Sequence, residues 1–129
     1  MNIDKSLLDE LTAQAKESPR LRMNLDLRNS DADSSQRMLN AIEPGSVVPV
    51  HRHQKTSVTV VVLRGCVVEE YYSSDGDLEA SYELSAGGSI CALNIPAGQW
   101  HTLRALESGT VILEMKDGAY EPIAAEDIL

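Results

Sequence analysis

The sequence predicts an all-β sandwich or barrel preceded by one short helix, and three observations carry that reading. Val, Ile and Leu cluster in short runs while Phe is absent, the pattern of a sheet core built from β-branched residues. Turn signals recur at close spacing from Pro44-Gly45 through Arg64-Gly65, Asp75-Gly76, Gly87-Gly88, Pro96-Ala97-Gly98 and Ser108-Gly109 to Asp117-Gly118. Between them no second helical pattern occurs, and parallel strands would need crossover helices.

Each element follows from local pattern. Leu7, Leu8, Leu11 and Ala15 recur at helical spacing within Asp4–Glu17, with Asp4 or Ser6 as N-cap and Pro19 as the stop. Strands are predicted over Gln36–Ile42, Val47–Arg52, Val58–Leu63, Val67–Tyr72, Glu79–Leu84, Ser89–Ile95, His101–Ala105 and Thr110–Lys116. The polar stretch Asp26–Ser35 reads as loop, and Glu121–Leu129 as a last helical turn. At 129 residues the chain makes a single domain, divided into a helix and lead-in over 1–35 and a barrel over 36–129.

Twenty acidic against eleven basic residues leave a net charge of −9. Such a surface repels phosphate backbones and anionic lipid, so nucleic-acid and membrane partners are not expected. With no apolar run long enough to span a bilayer and no basic segment leading into an apolar one, the expectation is a soluble, unprocessed, cytoplasmic protein. Cys66 and Cys91 form no CxxC pair and read as small buried hydrophobes.

Only three histidines occur, His51, His53 and His101. On an extended strand the side chains at i and i+2 leave the same face, so His51 and His53 could meet one ion while Arg52 points away. His101 follows the Pro96–Trp100 turn, where a barrel could fold it back onto the pair. An HxH pair alone is as compatible with an ordinary surface strand as with ligation.

These residues resemble the cupins. Their first motif, G-x5-H-x-H-x4-E-x6-G, is reproduced at every interval by Gly45, His51, His53 and Gly65, with Val58 in place of the glutamate. The second, G-x5-P-x-G-x2-H-x3-N, is met by Pro96, Gly98 and His101, while Ile90 and Ala105 replace its first Gly and its Asn. The stretches Ser35–Asn40, Val50–Ser57, Val61–Gly65, Ile95–Thr102 and Ile112–Gly118 are similar to the WbuC-type cupin metalloproteins. The resemblance implies a jelly-roll β-barrel in which His51, His53 and His101 ligate a divalent metal near one mouth. It also implies a tie to polysaccharide or O-antigen gene clusters. Without the carboxylate, three neutral imidazoles suit zinc, copper or nickel at least as well as iron.

Glu114 is the one candidate for a missing carboxylate. It shares a strand face with Thr110 and Ile112, and the sequence leaves open whether that face looks inward, making Glu114 a ligand or general base, or outward to solvent. Asn40 and Gln36 could bond a ligand, as could a cavity-facing Tyr71 or Tyr72. Trp100 should face away from the histidines, and Arg28, Arg37, Arg52 and Arg64 are scattered candidates for an anionic group. Three functions fit: a metal-dependent enzyme acting on a sugar-like small molecule, a non-catalytic saccharide or nucleotide-sugar sensor, and a barrel with a degenerate site. Sheet edges and the cupin resemblance together imply a homodimer.

Overall fold

A computed structural model describes residues 1–129. The helix α1 (Lys5–Glu17) is followed by β1 (Arg22–Asp26), β2 (Ser35–Ile42), β3 (Val58–Arg64), β4 (Cys66–Tyr72), β5 (Leu78–Ser85), β6 (Ala92–Ile95), β7 (Trp100–Ala105) and β8 (Thr110–Asp117). A single 3-10 turn, Ala125–Asp127, lies in the C-terminal segment. All strand pairs are antiparallel, in a five-stranded sheet ordered β1-β2-β8-β3-β6 and a three-stranded sheet ordered β5-β4-β7.

The five-stranded sheet is apolar on both faces, and β2 shows why. Leu39 and Ala41 point outward onto Leu8, Leu11 and Ala15 of α1, whereas Ile42 points inward with Val58, Val60, Ile112 and, from the second sheet, Val67 and Leu103. Period-2 alternation thus feeds two separate cores. The helix starts where the Asp4 carboxylate accepts from the Leu7 N–H at 3.0 Å, and it ends at Ser18, extended as the residue before a proline tends to be. Arg64 fixes it to the barrel, donating to Asp9, Thr12 and the Gly109 carbonyl.

Three strand expectations are corrected. Arg22–Asp26, assigned no strand from the sequence, pairs along β2 as an edge strand, with Met23 and Leu25 packing on the helix side. Val47–Arg52 is not a strand: Pro49 has no N–H to give a ladder. Its neighbours' carbonyls are taken instead by side chains and by the C-terminus, Val47 by Arg22, Val48 by Thr102 and Val50 by the Leu129 N–H. Ser89–Ile95 shrinks to Ala92–Ile95, because the Gly87-Gly88 turn runs on until Ser85 donates to the Ile90 carbonyl. Cys66 is buried as expected, but Cys91 is exposed at that loosened end.

Gly65, the last position of the first motif, sits at φ +85°, and a Cβ there would fall 2.2 Å from Thr110 Oγ1 and 2.8 Å from Thr110 Cα. Only glycine allows β3 to turn into β4 against β8. Gly65→Ala is expected to cost about 2–4 kcal/mol in urea unfolding. Gly87→Ala, at φ +72° with open space around it, should cost only about 1 kcal/mol; equal losses would mean that backbone strain, not the Thr110 contact, governs Gly65.

Candidate metal centre

His51 and His101 meet through the backbone. Each donates its N–H to the other's carbonyl, at 2.9 and 2.8 Å, forming one isolated antiparallel bridge. The second motif turn adds a further tie, with the Gly98 N–H donating to the His53 carbonyl at 2.7 Å. Local alternation survives without a full strand: His51 and His53 turn into the barrel mouth, while Arg52 turns out, stacks 4.6 Å above Trp100 and pairs with Asp127 at 3.0 Å. Trp100 therefore lies outside the cavity, as its place before His101 predicts.

The three imidazoles converge. One potential donor atom from each lies within 4.8 Å of the others, and the ring centroids are 4.4–5.9 Å apart. Nδ1 of His51 lies 2.8 Å from the Pro49 carbonyl and Nδ1 of His101 lies 2.8 Å from that of Gln99. A carbonyl only accepts, so both Nδ1 atoms carry the proton and both Nε2 lone pairs are left free. A ligating histidine is typically held this way. Burial also keeps the rings neutral: it pushes His53 and His101 down to about 4, assisted by their histidine neighbours, and lowers His51. The donor set fits a divalent ion, because neutral imidazole is the ligating form and one donor atom from each of the three rings converges on the same place.

These rings line a cavity of about 150 Å³ between the two sheets. Val58, which holds the place of the motif glutamate, is buried at 5% exposure and joins Val60, Ile42, Ile95 and Leu103 in an apolar lining. Glu114 borders the same space, since the Ile112 face of β8 is the inner one. Burial raises its pKa, partly offset by the Asn40 side chain. Neither Glu114 nor any other carboxylate joins the three-histidine cluster. Gln36 is buried on β2 but lines a separate surface groove. Tyr71 packs edge-on against Tyr82 at 5.3 Å, both half-buried against the core, and burial pushes its pKa up to about 12. Arg28, Arg37, Arg52 and Arg64 each pair with an aspartate. Arg22 is instead the arginine at the cavity, bonded to the Val47 carbonyl.

Sequence reasoning missed Glu69. It is fully buried on β4, borders the cavity, and finds no hydrogen-bond donor at either carboxyl oxygen. Burial, with help from Glu114 and Glu70, pushes its pKa up to about 9. The signal was present: in Val67-Val68-Glu69-Glu70-Tyr71, alternation about an inward Val67 must turn one glutamate inward. The C-terminal segment closes the other side, with Ile123 at the cavity and Asp127 accepting from Arg52 and, at 2.6 Å, from Gln54.

These shifts set a pH dependence for the metal-free protein. The histidines, depressed from 6.5, make stability rise as pH climbs from about 4 to 6.5. Glu69, raised from 4.5 to about 9, keeps a proton the unfolded chain has lost, so it makes stability fall across that window. Above pH 7 the histidines no longer contribute and the carboxyl effect remains, joined toward pH 9 by Cys66, whose thiol pKa is pushed up by burial. Urea unfolding of chelator-treated protein should therefore show stability declining from pH 7 to 9, by at most about 1.4 kcal/mol per pH unit from Glu69. Glu69→Gln should flatten that limb; an unchanged slope would assign it to other groups.

The chain is similar to several solved structures. Capsular polysaccharide assembling protein CapF from Staphylococcus aureus superposes with TM-score 0.67 at 20% identity over 81% of this chain. KdgF from Halomonas sp. gives TM-score 0.63 at 16% identity, covering 80% of this chain and 84% of its own. Oxalate oxidase in complex with the substrate analogue glycolate gives 0.63 at 16% identity over 83% of this chain and 55% of its own. This chain spans less than a third of CapF, at 30% of its length. No curated protein matches in sequence. The neighbours are cupin-fold proteins, and the two-sheet barrel with its N-terminal helix is a cupin jelly roll. Residues 3–84 match a family model described as a domain of unknown function, DUF6016, and the chain belongs to that family.

Proposed function

We propose that this protein is a WbuC-type cupin that binds one divalent metal through His51, His53 and His101 and uses the cavity beside it to take up a small sugar-like molecule of polysaccharide metabolism. The observation that carries the reading is the convergence of three neutral imidazoles, two of them with Nδ1 held by a backbone carbonyl. The polysaccharide part is supported by the likeness to CapF, whose description is a capsular polysaccharide assembling protein. An ion there would supply Lewis-acid polarisation of a ligand carbonyl or hydroxyl oxygen. Around it, Val58 and its apolar neighbours exclude water, Asn40 offers an amide, and Glu114 is the group positioned to hold or move a proton. With three nitrogen donors and no carboxylate, zinc, nickel and copper suit the site as well as iron.

Elemental analysis of protein purified without chelator should give close to one metal per chain, and His51→Ala or His53→Ala should lower it at least tenfold. Metal-free native protein that becomes loaded only as Val58→Glu would identify a degenerate site instead. Val58 itself favours a second reading, a non-catalytic saccharide or nucleotide-sugar sensor, because an apolar packing group stands where the cupin motif has an anionic ligand. Thermal-shift stabilisation by nucleotide sugars without product formation would select the sensor. The reading includes a cytoplasmic homodimer, so light scattering at tens of micromolar should return twice the chain mass.

A further inference from the structure

Of the carboxylates in this fold, Glu69 has no structural task. Glu43 shows the contrast: it is also buried, but its Oε1 accepts from the Ser108 hydroxyl and its Oε2 from the Gly109 N–H, closing the turn before β8. Glu69 is fully buried and receives nothing at either oxygen. Leucine would fill a similar space without the cost of taking an unpartnered carboxyl out of water. The carboxyl borders the cavity together with Glu114 and Asn40, on the opposite sheet, and with the three histidines.

We propose that Glu69, with Glu114 and Asn40 across the cavity from it, is a hydroxyl-recognising site for a small neutral polyhydroxylated ligand whose carbonyl oxygen meets the three-histidine cluster. This rests on the metal-centre reading above and names the ligand class for that site. A hydroxyl both donates and accepts, so it satisfies a carboxyl group in either protonation state. The lining offers an anionic ligand a single cationic side chain, Arg22, whose Nη1 already donates to the Val47 carbonyl and the Ser46 hydroxyl. A ligand ammonium would be set beside the bound divalent ion. A cavity of about 150 Å³ is the size that takes a benzene-sized molecule, which suits a ketose or aldose fragment of a few carbons rather than an oligosaccharide.

Dihydroxyacetone and hydroxyacetone test this, because they share the metal-binding hydroxyketone and differ by one hydroxyl. NMR titration of zinc-loaded protein should show dihydroxyacetone binding roughly tenfold tighter, the worth of one hydrogen bond to an ionisable group. In Glu69→Leu the preference should fall below about twofold, while Glu69→Gln keeps most of it and all three proteins hold equal zinc. Should Glu69→Leu fail to fold, Glu69→Met carries the same measurement. Equal binding of the two ketones to the wild type, no binding of either, or a preference that survives in the apolar variant overturns the proposal. Wild-type protein that takes up no zinc overturns the metal-centre reading instead, and the same two ketones on the metal-free protein then still decide the role of Glu69.

Discussion

The site depends on one reciprocal pair of backbone hydrogen bonds, between His51 and His101. They join a stretch that cannot form a ladder, because Pro49 interrupts it, to a strand that is firmly paired along β4. The bridge sets the two rings side by side, and the i, i+2 relation then brings His53 into the same mouth. Irregular backbone outside a sheet has no ladder to pair its polar groups, which must find partners elsewhere. Here they are met by Arg22, by Thr102 and by the C-terminal Leu129, so this otherwise loop-like segment is held from several directions.

Around that anchor the barrel divides its interior by chemistry. Much of the inner surface is aliphatic and closes onto the core between the sheets, whereas the mouth concentrates three histidines, Asn40, Glu69 and Glu114. Enclosed polar groups of this kind cost stability unless something satisfies them. The fold tolerates them because a second core, between α1 and the outer face of the five-stranded sheet, adds apolar burial away from the mouth. The helix is therefore a stabilising cover on the far side of the sheet from the chemistry, as its amphipathic pattern suggests.

The C-terminal segment makes a different contribution. Asp127 takes Arg52 and Gln54 on either side of His53, and Ile128 bridges to His51. Residues more than seventy positions away in the chain thus hold the first motif in place, while Ile123 lines the cavity. The same contacts engage Arg52, which leaves Arg22 as the arginine at the cavity.

By itself the sequence determined the β-rich class, the helix and its stop, the positions of most strands, and the three histidines as the chemistry to examine, because each follows from local periodicity, turn residues or spacing. It also carried the alternation that turns Arg52 and Trp100 outward. What it left open was every question of facing and partnership. Glu114 looks inward because β8 lies between β2 and β3 in one sheet with Ile112 on the core side. β1 becomes a strand because β2 offers it an edge, and Glu69 becomes an enclosed, unpaired acid because the second sheet folds over it. Period-2 patterning divides a strand into two faces, but only the packing of one sheet on another decides which face loses its water.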